Sequence, residues 1–340
     1  MARSRTRGVL TDCWYAVAAS PDVTERPLAL RVAGRPVALA RAASGAVLAL
    51  EDRCAHRAYP LSAGRVEGDL LVCGLCGFAY DAGGACVRVP TQPHVPSGAR
   101  VDAFGVVEQQ GLVWVWVGRA GRAALHRVPD LPWLDEAGWT AASGQHDVAA
   151  GALLLLESFA DVTQVPVVAP DISPVVLQTA PPPLDVVVSE TTVSLSRTFA
   201  PAPLPPWQAE VLGVPAELAV PHVQQGHFVS PAAWVDHWDV TVPDGRVARL
   251  RFTQLVSPVD AGHSRLLWRV SRDFAVGEAG VDERLAQMFA RYYDRKVAAL
   301  QAQQRVLDTD GPGREVSVSA DAAALRVRAI VHQLLAEQPG

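Results

Sequence analysis

The stretch Leu71 to Asp81 reads LVCGLCGFAYD, with two residues between Cys73 and Cys76, and it follows CAHR at Cys54 to Arg57, where one residue separates Cys54 from His56. The step from His56 to Cys73 is seventeen positions. Paired ligands on two neighbouring β-loops can converge on one small centre, because each loop presents two side chains in one direction and the strands fix the distance between loops. Three thiols and one imidazole leave two metals open: tetrahedral zinc, which takes Cys3His readily, and a 2Fe-2S cluster. A redox-active Cys73/Cys76 dithiol is a third reading. Cys13 and Cys86 have no paired partner and read as ordinary core or surface thiols.

Around this cluster lies a chain of ordinary globular composition: 340 residues, 49% hydrophobic, enough for about two domains. A formal charge of -5, with basic residues scattered and not massed, argues against nucleic acid or an anionic membrane as the main partner. The opening MARSRTRG is basic but no apolar h-region follows before TDCW, so it does not read as a secretory signal. No apolar run reaches the ~18 to 20 residues that span a bilayer. These features, with an odd number of cysteines clustered beside a histidine, place the protein in the reducing cytoplasm.

Organisation follows from pattern. Residues 31–117 alternate in short strands broken by turns: VALARA, Ser44-Gly45, VLALED, then VVEQQGLVWVWVG with Gln110-Gly111 at the turn. His146 to Val162 runs from an apolar stretch into an acidic, helix-compatible segment. Strand pairs follow at 184–199 and 246–274, the latter turning at Pro258 to Gly262. The Pro-rich joints PPPL (181–184) and PAPLPPW (201–207) read as loops. Leu285, Met288, Phe289, Tyr292, Val297 and Leu300 recur at a helical period, and a last helix starts near Ser319 or Asp321.

The run EDRCAHRAYPLSAGRVEGDLLVCGLCGFAYDAGGACVRVP resembles the Rieske domain of Rieske non-heme iron oxygenases, in which C-x-H, an interval of this length and C-x-x-H bind a 2Fe-2S cluster. The flanking Arg57, the PLSAGRVEGD linker and Gly77 belong to the match, but Cys76 stands where the family has histidine. Carried over by position, Cys54 and Cys73 hold one iron, His56 and Cys76 the other, as an altered Cys3His cluster. Exchanging imidazole for thiolate adds negative charge and lowers the expected potential. The resemblance continues to LRVRAIVHQLLAEQ and is closest in kind to vanillate O-demethylase-like, single-component oxygenases. It implies an α+β chain: a small all-β Rieske domain with its lead-in at 1–118, then a helix-flanked antiparallel-sheet catalytic-type domain at 119–340.

That second domain, in the family, places two histidines and one carboxylate on a single iron. The first two lie in D-x-x-H-x-x-x-x-H; the matching segment here, ESFADVTQVPVVAP, keeps Asp161 at the acidic position that bridges subunits but has Gln164 and Ala169 at both histidine positions. If QAQQ (301–304) corresponds to the family's closing E-x-Q-Q, the third ligand position is Lys296. Asp294, two residues away, is turned about 200° around the helix. The resemblance therefore implies a degenerate site with no mononuclear iron. His222, His227 and His237 form a rescue candidate for a displaced metal, and Asp161, Glu157 or His237 for metal-free acid–base chemistry.

Two functions follow from the resemblance. The first is a non-catalytic, pseudoenzyme-like auxiliary subunit that assembles with an active homologous oxygenase subunit in a heteromeric trimer or hexamer, with a reductase or ferredoxin as electron source. The second is an active Rieske-type monooxygenase, an oxidoreductase acting on an aromatic or other small hydrophobic substrate.

Overall fold

Ten short strands account for the alternating pattern of the first third of the chain in the computed structural model, which describes residues 8–338 apart from Val175 and Ala180; the basic Met1–Arg7 segment lies outside the described residues. These strands are β1 (Cys13–Ala19), β2 (Leu28–Val32), β3 (Arg35–Arg41), β4 (Val47–Glu51), β5 (Arg65–Glu67), β6 (Leu70–Val72), β7 (Ala79–Tyr80), β8 (Cys86–Arg88), β9 (Gly105–Gln109) and β10 (Leu112–Val117). They form three antiparallel sheets, ordered β1-β10-β9, β2-β3-β4 and β5-β6-β7-β8. Gln110 and Gly111 both have positive φ, the conformation of a two-residue type I′ turn whose twist suits a hairpin. This unit comprises Thr11–Val128 together with Ser257–Asp260.

The second unit, which holds Pro129–Val256 and Ala261–Gly340, is built on one seven-stranded sheet. Its strands are β11 (Thr140–Val148), β12 (Asp185–Val188), β13 (Val193–Pro203), β14 (Ala219–Ser230), β15 (Ala233–Thr241), β16 (Val247–Pro258) and β17 (Ser264–Arg272). Their spatial order is β11-β17-β16-β15-β14-β13-β12, so the strands after β11 form a meander and β11 pairs with its last member. The helices are α1 (Ala152–Ala160), α2 (Val165–Val168), α3 (Val176–Thr179), α4 (Pro206–Leu212), α5 (Ala279–Asp310) and α6 (Ala322–Ala336). The 3.6-residue period of α5 buries Leu285, Met288, Phe289, Tyr293, Lys296, Val297 and Leu300. Tyr292, expected on that stripe, is only partly buried, and Tyr293 takes the core place.

The PAPLPPW segment is not the loop that its prolines suggest. β13 continues through Pro203 with a register irregularity between Phe199 and Ala202, and α4 starts at Pro206. Proline at the first helical position has a preset φ and lacks only an N–H that would have no helical partner there. The start of α1 has no side-chain cap of its own. Instead Gln301 and Gln304 of α5 accept the backbone N–H groups of Ala149 and Gly151, each at 3.0 Å.

Glu157, read from sequence as a possible general acid or base, is committed to the core. Arg328 of α6 grips it with Nε on Oε1 and Nη2 on Oε2, both at 2.7 Å, and donates a third bond to Glu315. Arg328→Ala takes the bidentate guanidinium from a buried carboxylate, and is expected to destabilise the fold by about 3 kcal/mol. A denaturant-unfolding midpoint unchanged from the parent would contradict this role.

Candidate functional site

The two ligand loops are nearly the same structure written twice. In Cys54–Tyr59 the Cys54 N–H bonds the Tyr59 carbonyl at 2.8 Å, and in Cys73–Phe78 the Cys73 N–H bonds that of Phe78 at 2.9 Å. In both, a return bond runs from the fifth residue to the first carbonyl: Ala58 to Cys54 at 2.9 Å, Gly77 to Cys73 at 3.0 Å. Ala58 and Gly77 accordingly both take positive φ. The loops differ in where the second donor sits, third for His56 and fourth for Cys76. Gly74 lets the Ala63–Gly64 backbone cross close by, because a Cβ at Gly74 would stand 2.7 Å from the Ala63 carbonyl oxygen.

The sulfurs of Cys54, Cys73 and Cys76 all lie within 4.8 Å of one another, and Cys54 and Cys76 are 3.6 Å apart. Cys54 and Cys73 are buried, Cys76 is half-buried, and the exposed His56 stacks on Phe78 at 4.9 Å, outside the thiol triad. Burial raises the Cys54 pKa, but the Tyr80 hydroxyl at 3.2 Å, the His56 backbone N–H and the two other thiols outweigh it, leaving the thiol below its ordinary value. Burial pushes Cys76 up to about 12, opposed by the Phe78 backbone and reinforced by Cys73 and Cys54. The surroundings thus favour the thiolate at Cys54 and disfavour it at Cys76 unless a metal supplies positive charge. Three gathered sulfurs, with the His56 imidazole on the same loop as Cys54, could hold an iron–sulfur centre. Cys86 and Cys13 stand apart, each bonding a backbone carbonyl and raised in pKa mainly by burial.

In the second unit, Gln164, Ala169 and Lys296 do come together. Lys296 Nζ, with the residue only 2% exposed, donates to the Ser158 carbonyl at 2.8 Å and to Gln164 Oε1 at 3.0 Å. Gln164 Oε1 also accepts from Ser158 Oγ at 3.0 Å, while its Nε2 donates to the Ser158 carbonyl and to Asp161. Asp161 further accepts the backbone N–H and hydroxyl of Thr163. Ala169 ends α2, buried on the wall of the same pocket. The Lys296 amine therefore stands at the pocket wall, and both oxygens that it bonds accept a second donor as well. Asp294 faces away and meets His146 at 3.0 Å.

The three histidines do not converge. His222 lies on the pocket face of the sheet, with its ring 4.0 Å from that of Phe199. His227, an odd number of residues further along β14, points to the opposite face. There it meets His237 at 4.9 Å, and His237 packs against Trp133 at 5.1 Å. Burial lowers the pKa of all three; His237, with Arg251 and His227 adding repulsion, falls to about 3. Among the described residues, the thiol triad is the one group of three or more histidine, cysteine or acidic side chains whose ligand atoms gather this closely.

Sequence reasoning overlooked one signal. Lys296 is the single lysine of the chain, against 29 arginines. Burial lowers its pKa to about 8, with Asp161 and Asp236 opposing the shift. A lysine whose folded pKa lies below its unfolded value of 10.5 penalises folding below about pH 8, and the penalty is relieved as pH rises towards 10.5. The stability of Lys296→Met relative to the parent is therefore expected to fall by up to about 3 kcal/mol as pH rises across that window. A difference independent of pH would show that Lys296 does not titrate there.

Residues 13–99 match the Rieske [2Fe-2S] domain, and residues 148–337 match the vanillate O-demethylase oxygenase C-terminal domain. The chain is 26% identical to the putative toluene-4-sulfonate monooxygenase system iron-sulfur subunit of Comamonas testosteroni, over 98% of this chain and 99% of the relative. It is 23% identical to a vanillate O-demethylase oxygenase subunit of Pseudomonas sp., over 96% and 95%. The crystal structure of dicamba monooxygenase bound to 3,6 dichlorosalicylic acid has the same fold, with a TM-score of 0.89 at 24% identity over 96% of this chain and 97% of that one. With both domains matched in order and the second covering more than half its length, the chain belongs to the Rieske oxygenase family.

Proposed function

We propose that this chain is an auxiliary Rieske oxygenase subunit that carries an iron–sulfur centre on Cys54, His56, Cys73 and Cys76 and does not hold a catalytic iron of its own. It assembles with an active homologous subunit in a trimer or hexamer, with electrons from a reductase or ferredoxin. The observation that carries this reading is the Lys296 ammonium against Gln164 and the Ser158 carbonyl. A divalent iron there would face a positive charge with no lone pair to offer, one amide oxygen already bonded twice, and an alanine. The family's facial triad needs two imidazoles and a carboxylate, and none of the three positions supplies one.

When bound, an iron–sulfur centre supplies one-electron transfer. The chain's own residues set its surroundings: Cys54 and Cys73 anchor it in the core, while Cys76 and His56 reach outward. The third thiolate in place of a second imidazole lowers the potential expected of it. Asp161 keeps the acidic position at which subunits of the family meet, although its oxygens are also used within the chain.

A second reading, an active monooxygenase, draws support from the full-length likeness to relatives named as monooxygenase and demethylase subunits. Total iron, acid-labile sulfide and zinc per chain, measured on protein purified without oxygen, separate the two. Iron matched one-to-one by sulfide is expected; iron clearly in excess restores the active reading, and zinc without sulfide removes the cluster. Cys54→Ala and Cys73→Ala are each expected to abolish bound iron and sulfide together. Cys76→His is expected to raise the potential without creating oxygenase turnover, and turnover by that variant with no partner present would overturn the auxiliary role.

A further inference from the structure

Lys296 sits on a wall of a small cavity, about 50 Å³, within the second unit. Phe159, Ile172, Trp238 and Phe252 give the cavity its apolar sides, and Arg197, Gln224, Asp236 and Gln254 its polar ones. Two of the four tetrahedral directions at Nζ are taken by N–H bonds to the Ser158 carbonyl and Gln164 Oε1, and a third by Cε. The fourth holds either the proton of the ammonium or the lone pair of the amine. With the pKa lowered to about 8, roughly one chain in ten carries the amine at pH 7.

The same cavity contains donors with nothing to bond. Arg197 is 5% exposed and spends its Nε on Gln224 Oε1 at 2.9 Å, while its two Nη groups have no protein hydrogen-bond partner among the described residues. Gln224, 4% exposed, leaves its Nε2 unpartnered as well. The buried Gln224 Nε2 in that state costs on the order of 1–3 kcal/mol, and one carboxylate would satisfy it together with the Arg197 guanidinium, which lies over the Phe199 ring at 5.6 Å. Asp236 lines the same cavity, held by Trp234 Nε1 at 2.9 Å and Gln254 Nε2 at 3.2 Å, and burial raises its pKa to about 6.

We propose that Lys296 captures the carbonyl carbon of a small oxo-acid as a Schiff base, while Arg197 and Gln224 take the acid's carboxylate. The amine lone pair forms the C–N bond and the carbonyl electrons move to oxygen. The oxygen then leaves with the two amine hydrogens as water, giving the imine with no oxidant or reductant. Asp236 is placed to relay the proton between nitrogen and departing oxygen. Arginine could not replace Lys296 in this chemistry, because guanidinium does not deprotonate in proteins.

The experiment treats the full-length folded protein with glyoxylate and cyanoborohydride near pH 8, and maps the reduced adduct by peptide mass. Apart from the chain's amino terminus, Lys296 is the sole primary amine, so the assignment is unambiguous. One carboxymethyl group at Lys296 is expected, forming about tenfold faster than the adduct of propanal, which lacks a carboxylate. Arg197→Met should bring glyoxylate down to the propanal rate. Labelling of Lys296 only after denaturation would overturn the proposal, and equal rates for both carbonyl compounds would overturn the carboxylate subsite. The inference rests on the iron-free reading yet fails separately from it. Iron in excess of sulfide removes both, whereas balanced iron and sulfide with an unlabelled Lys296 removes this one alone.

Discussion

One buried lysine ties together three segments of the second unit. The Ser158 carbonyl belongs to the last turn of α1, where helical carbonyls lack internal partners and carry partial negative charge. Gln164 belongs to the connection between α1 and α2, and Lys296 to the middle of α5. A single Nζ therefore fastens three segments, and Phe159 presents its ring to the same charge at 5.1 Å. Remove that amine and each of the two acceptors loses one of its two buried donors.

Much of this architecture was legible in the sequence wherever the cause was local. Gln110-Gly111 announces a hairpin because two residues alone meet its backbone requirement, and Gly45 supplies the positive φ that closes the three-residue loop after Ala42. The thiol triad was legible because each loop encodes its own turn. The PAPLPPW segment was misread because a proline at a strand end and a proline opening a helix carry the same letters as a loop. The Glu157–Arg328 pair joins residues 171 positions apart, which no window along the chain can reveal. The opposite facing of His222 and His227 follows from their odd separation on one strand, and was available once both were placed on β14. Lys296 was recognised as unsuited to iron, but its standing as the only lysine, the stronger clue, lay in a plain count.

The two halves of the chain differ in how they have kept their inheritance. On the proposed reading, the first offers a donor at every cluster position and changes the chemistry of one. The second, on that reading, retains sheet and helices while the side chains of the family's iron site are replaced. This separation is physically reasonable, because the fold rests on apolar contacts among the sheet, α1, α5 and α6, and few of those contacts involve the replaced positions.

The distribution of basic residues has a bearing on the protein's exterior. Every positively charged side chain outside the interior, histidine aside, is arginine, which keeps its proton to a pH above about 12. The fixed positive charge of the surface is therefore constant across the alkaline range in which lysine-rich proteins lose theirs. Electrophoretic mobility and charge-driven association should hold nearly level there, while the one side-chain cation that does discharge is hidden from the solvent that would report it.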